Sequence, residues 1–147
     1  MPMKRKLRVF LCHASQDKPI VRELYQKLLA EDWIDSWLDE ERLLPGQDWN
    51  LEIEKAVEVS DAVIVCVSST SIAKEGYIQK ELRKVLDIAL EKTEGAIFVL
   101  PVKLDDCDLP RQLKDRQALN YFPVSNRAAS FERLKASLKV RKDSLGM

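Results

Sequence analysis

Glu81, in the stretch Gly76-Tyr77-Ile78-Gln79-Lys80-Glu81-Leu82, is the side chain best placed for chemistry in this chain. It follows an apolar, β-branched run and a polar loop, at the point where a new helix begins. At ~100° per residue it lies about 60° from Ile78 and about 40° from Val85, at the margin of that helix's apolar stripe. Tyr77 stands one turn earlier on the same side. This phase predicts a half-buried carboxylate facing a crevice, with an aromatic ring beside it. The competing reading is a surface glutamate in a first helical turn, which the helix dipole favours by itself.

Other reactive groups are weaker candidates. His13 is the single histidine and follows Cys12. Neighbouring strand residues point to opposite faces, so the two do not form a nucleophile–base pair. One histidine and three scattered cysteines, Cys12, Cys66 and Cys107, make no zinc set. Asp105, Asp106 and Asp108 read as a solvated acidic loop rather than a cation site, so no metal is expected. Ser68-Ser69-Thr70-Ser71 satisfies loop and cap hydrogen bonds, or offers a hydroxyl to a ligand's sugar or phosphate. There is no Gly-x-Gly-x-x-Gly and no Walker-type loop. The strand ends Leu11-Cys12-His13 and Val67-Ser68-Ser69 lack the acidic residues of a phosphoacceptor receiver domain.

The elements that must hold these residues alternate along the chain. Strands are expected at Leu7–Cys12, Trp33–Leu38, Asp61–Val67, Ala96–Val102 and Ala118–Phe122. Between them run amphipathic helices: one carrying Ile20, Val21, Leu24 and Leu28, one capped by Asp48 with Trp49, Ile53 and Val57 inward, and one carrying Ile78 to Leu90. Ser15 or Asp17 is expected to cap the first helix, and Ser130 the last, with the tail from Arg141 frayed. Pro45-Gly46 marks a turn beside Leu43 and Leu44. Alternation of this kind predicts an α/β fold: a flavodoxin-like, five-stranded parallel sheet of order 2-1-3-4-5 with helices on both faces. All strand-to-helix loops then emerge at one edge. The loops His13–Asp17, Asp39–Asp48 and Ser68–Gly76 gather there with Tyr77 and Glu81.

The totals fit one domain over residues 1–147, with a core at about 7–139. Apolar residues are 46% and charged residues 33%, and the 24 basic and 24 acidic side chains cancel. That balance argues against a domain that grips nucleic acid by a basic field. Unpaired cysteines and the absence of a long apolar run predict a cytoplasmic protein with no membrane association.

Taken together, these segments resemble a TIR (Toll/interleukin-1 receptor) domain, and specifically its bacterial NAD-cleaving branch, over Leu7 to Leu138. Val9-Phe10-Leu11-Cys12-His13-Ala14-Ser15-Gln16-Asp17 is similar to the family's first-strand signature. Leu38-Asp39 with Leu43-Leu44-Pro45-Gly46 resembles the second strand and the self-assembly loop. Ser68 to Glu81 resembles the serine-bearing loop and aromatic-x-x-x-Glu motif, with Tyr77 where tryptophan is usual. Asp105 to Leu113 resembles the Asp…Pro-x-x-Leu stretch after strand 4.

The resemblance implies that Glu81 is catalytic and that His13, Ala14, Leu44, Trp49, Ser69 and Tyr77 line an NAD site. It implies a self-assembly surface at Leu43, Leu44, Pro45 and Gly46. NAD+ is then substrate, with no cofactor. The implied activity is an NAD+ glycohydrolase giving nicotinamide and ADP-ribose or a cyclic isomer. It would be activated by homo-oligomerisation, in immune or antiphage signalling, with a fused or partner sensor domain. Two other classes are a non-catalytic TIR–TIR adaptor and another N-glycosyl enzyme, such as a nucleoside deoxyribosyltransferase. The carboxylate at Glu81 favours catalysis, because an adaptor has no need of it there.

Overall fold

In the computed structural model, residues 5–13, 17–38, 45–46, 48–69, 80–91 and 98–146 are described. Among them the chain runs β1 (Leu7–Cys12), α1 (Lys18–Leu29), β2 (Ile34–Leu38), α2 (Trp49–Glu58), β3 (Ala62–Val67), α3 (Lys80–Glu91), β4 (Phe98–Lys103), β5 (Leu119–Asn120) and α4 (Arg127–Ser144). The sheet order is β2-β1-β3-β4-β5, and every pairing is parallel. This is the flavodoxin-like arrangement expected.

β3 sits at the centre and is buried at every residue. That explains its unbroken apolar run, since a strand covered on both faces has no solvent side to make polar. Side-chain alternation divides the core in two. Leu7, Val9, Leu11, Ile64 and Cys66 pack under α1 and α4, with Leu24, Leu28, Leu134 and Leu138. Phe10, Cys12, Val63, Val65 and Val67 pack on the other face against Ile53, Val57, Val85 and Leu86 of α2 and α3. Both faces of the sheet are therefore closed by helices, and its strand ends are left for function.

The N-terminal edge of the sheet is tied by Asp61. Its carboxylate accepts from Arg5 Nη1 (2.6 Å), Arg5 Nη2 (2.8 Å) and the Arg8 backbone N–H (2.8 Å). Its backbone oxygen accepts from Phe98 N (3.1 Å) and from Arg141 Nε (3.0 Å). Entry to β1, β3 and β4 and the end of α4 thus meet on one residue. Burial by itself would push the Asp61 carboxyl up, but the Arg5 and Arg8 hydrogen bonds outweigh it and hold the group below its ordinary value.

Three local expectations are corrected. β5 covers Leu119–Asn120 and not Ala118–Phe122. Tyr121 still donates its N–H to Lys103 O (2.8 Å), but its side chain turns wholly into the core, and Pro123 has no N–H to continue a ladder. Ser130 does not cap α4. The helix begins at Arg127, and the buried Ser130 hydroxyl donates to the Asn120 carbonyl (2.6 Å), joining α4 to β5. The segment from Arg141 is helical through Ser144 rather than frayed, held by the Arg141 contact with Asp61.

Candidate functional site

In a parallel sheet each strand runs into its following loop at the same edge, and each crossover helix starts there. His13, Ser68, Ser69 and Asp105 lie within two residues of the ends of β1, β3 and β4 at that edge. Glu81 is the second residue of α3, whose crossover from β3 to β4 starts it over the same edge. The backbone therefore sets position 81 at the loop-bearing edge.

Two carboxylates organise this edge, and neither was expected among the site residues. Asp17 occupies the N-cap position of α1 but makes no side-chain cap bond. Its carboxylate faces β3 instead, and both oxygens accept from the Ser68 hydroxyl, at 2.8 and 2.9 Å. Asp17 and Ser68 are both buried. On the other side of β3, Asp105 takes both donors of Ser69. The Ser69 N–H lies 3.0 and 3.2 Å from its two oxygens, and the Ser69 hydroxyl lies 2.8 Å from Oδ2. The two serines that open the β3 loop are thus each gripped by an acid from a neighbouring loop, Ser68 from the β1 side and Ser69 from the β4 side. The legible signals were the Asp of His-x-Ser-x-Asp and the Asp just after β4. The first was read as a cap and the second as solvated loop.

The other expected site residues divide as follows. His13 is buried, at 4% exposure, at the end of β1. Ser69 is exposed. Pro45 and Gly46 form the predicted turn, both exposed, with Gly46 at φ +90°, a backbone conformation that favours glycine. Trp49 is the first residue of α2, which Asp48 caps by accepting from Leu51 N at 3.0 Å. For Trp49 and Glu81 the backbone position alone is described. Ala14, Leu43, Leu44 and Tyr77 lie outside the described residues.

Thiol chemistry finds no support at this edge. Burial, then the Asp17 charge, pushes the Cys66 thiol up. Burial, then the charge and hydrogen bond of Asp105, pushes Cys107 up to about 12. Both stay protonated at neutral pH and so are poor nucleophiles. A cavity of about 340 Å3 lies elsewhere, between the start of β4, the segment before β5 and α4, lined by Phe98, Val99, Arg116, Leu119, Arg133 and Ser137. It lies where two-residue β5, which pairs only with Val102 and Lys103, leaves the other edge of Phe98–Leu100 uncovered by a strand. None of the candidate site residues is among those lining it.

Comparison with known proteins agrees with this fold. The family model described as TIR domain matches residues 9–135. The NAD(+) hydrolase TcpA of Theionarchaea archaeon (strain DG-70-1) is 37% identical over 95 residues, covering 64% of this chain and 27% of that protein. The chain thus matches about a quarter of that relative's length. Among solved structures, the TIR domain of the Toll-related receptor TRR-2 from Hydra magnipapillata superposes with a TM-score of 0.69 at 20% identity, over 89% of this chain and 97% of that one. The TIR domains of the activated Roq1 resistosome, which directly recognises the pathogen effector XopQ, give 0.56 at 25% identity, over 95% and 77%.

Proposed function

Because this chain belongs to the TIR domain family, we propose that it is an NAD+ glycohydrolase with Glu81 as its catalytic carboxylate. The observation that carries the reading is the start of α3 at the loop-bearing edge, with Glu81 in its first turn. The likeness to a protein named NAD(+) hydrolase supports the same substrate.

The chemistry suits a single acid. The bond that breaks joins ribose C1′ to the pyridinium nitrogen, and its electron pair goes to that nitrogen, so nicotinamide departs neutral. No general acid has to protonate the leaving group, unlike an ordinary glycoside. The demand is on the other fragment, an oxocarbenium-like ribose. An ionised carboxylate near its hydroxyls stabilises that developing charge. Water then forms the new bond at C1′ and loses a proton, giving ADP-ribose. Capture by an adenine nitrogen gives a cyclic isomer instead. His13 and Ala14, beyond β1, would take the adenosine end, with Leu44, Trp49, Ser69 and Tyr77 around the remainder.

Self-association through Leu43, Leu44, Pro45 and Gly46 is the proposed activating step. The exposed Pro45–Gly46 turn supports it, as does the occurrence of related TIR domains within a resistosome. That assembly recognises a pathogen effector, which favours immune or antiphage signalling, with a fused or partner sensor supplying the trigger. The described residues include no helix long and apolar enough to cross a membrane. The three free cysteines suit the reducing cytoplasm, where we place this domain.

The test is nicotinamide release from NAD+ by concentrated protein, beside Glu81→Gln. Loss of at least about a hundredfold in the variant is expected for removal of a transition-state charge partner. Equal release by both proteins would remove Glu81 from catalysis. No release by either, even when crowded, would favour the TIR–TIR adaptor.

A further inference from the structure

The serine clamp at the β3 edge has a chemical polarity. The Ser69 hydroxyl has one hydrogen, and it is committed to Asp105 Oδ2 at 2.8 Å. The remaining capacity of Ser69 Oγ is as an acceptor. Asp105, which also accepts the Ser69 N–H, is an acceptor as well and carries negative charge. A ligand group meeting this pair must therefore donate hydrogen bonds and must not be anionic. Of the two partners open to a loop serine, sugar or phosphate, a sugar hydroxyl fits and a phosphate is repelled.

Position decides which sugar. β3 separates Asp105 from His13: the order β1-β3-β4 puts His13 on one side of the Ser68–Ser69 pair and Asp105 on the other. The connection that begins at Ser69 leads into α3 and Glu81, and α3 crosses from β3 to β4. A dinucleotide with its adenosine beyond β1 would bring its far ribose to the β3–β4 side.

We infer that Asp105 is a positioning and specificity residue: through Ser69 it presents an acceptor-only, anion-excluding contact to the hydroxyls of the ribose that bears the bond to be broken. The inference rests on the NAD+ reading and adds to it a residue and a subsite. Asp17, gripping Ser68 from the β1 side at 2.8 and 2.9 Å, fixes the other end of the same two-residue platform.

Calorimetric titration with ADP-ribose and with ADP separates this from a general structural role, because ADP-ribose carries that ribose where ADP ends in a free, more highly charged phosphate. The full chain is compared with Asp105→Ala, Asp105→Asn and Ser69→Ala, each checked for folding by its thermal melt. Asp105→Ala and Ser69→Ala should weaken ADP-ribose about tenfold without weakening ADP. Asp105→Asn keeps an acceptor for Ser69 and should recover much of the loss. Equal weakening of ADP and ADP-ribose, unaltered ADP-ribose affinity in the alanine variants, or no binding of ADP-ribose by the wild type would each overturn it. Binding needs no turnover, so the two readings fail separately. A selective ADP-ribose effect without nicotinamide release sinks cleavage alone. Release of nicotinamide without the selective effect sinks this subsite alone.

Discussion

Replacing Asp61 by asparagine should destabilise the fold by about 2 kcal/mol while leaving the chemistry of the folded molecule unchanged. The carboxylate serves three donors: two Arg5 nitrogens and the Arg8 N–H. Asparagine has one acceptor oxygen, so its NH2 must face a donor. Arg5 is 45% exposed against 9% for Asp61, so its guanidinium returns to water easily and that pair contributes at most about 1 kcal/mol. The Arg8 N–H loses a charged acceptor, which contributes about 1.5 kcal/mol or somewhat more. For a chain of 147 residues, 2 kcal/mol corresponds to a fall in Tm of roughly 4–8 °C.

The loss should also depend on pH. The folded Asp61 carboxyl lies below its ordinary value, so its contribution is complete above the unfolded value of about 4 and fades as pH falls through the lower, folded value. Urea melts of wild type and Asp61→Asn at pH 7 and at pH 2 measure this. A gap under about 0.5 kcal/mol at pH 7, or one of equal size at both pH values, would refute the reasoning. Asp61 stands at the edge opposite the site, so nicotinamide release per folded molecule should be equal in the two proteins.

The remaining predictions concern the far strand and the proposed assembly loop. Ser130→Ala removes the hydroxyl that joins α4 to the Asn120 carbonyl and should cost about 1 kcal/mol in urea melts. Gly46→Ala places a side chain at φ +90° with nothing within 4 Å of its Cβ, so the cost is backbone strain alone, about 1–2 kcal/mol. It should appear as a shifted turn conformation in NMR spectra and not as a core defect. Leu44→Glu should lower nicotinamide release per molecule and flatten its dependence on protein concentration. An unchanged rate that does not vary with concentration would remove Leu44 from assembly.

The sequence alone determined the architecture, because its signals are local and physically strict. A strand covered on both faces must be apolar throughout, as Ala62–Val67 is. Helices packed on a sheet show one stripe, as Val21, Leu24 and Leu28 do. Alternation of the two leaves few topologies open. The same patterns brought Glu81 to the loop-bearing edge, since helix phase and strand order are both counted along the chain. Where two roles share one residue type, local pattern could not choose. Asp17 looks like a helix cap and Ser130 like another, yet each bonds a partner far off in the chain or in a neighbouring element: Ser68 for one, the Asn120 carbonyl for the other.

Tyr121 shows the same limit at the end of the sheet. Its apolar neighbours predict a longer strand, and only the packed core decides that it turns inward. At Asp105 the spacing gives an acid in a charged loop. Tertiary structure decides that this acid takes both donors of Ser69, 36 residues away in sequence. Hydrogen-bond direction is a property of a pair. A single chain position carries no sign of which partner will hold its one proton, and on that proton the polarity of the site depends.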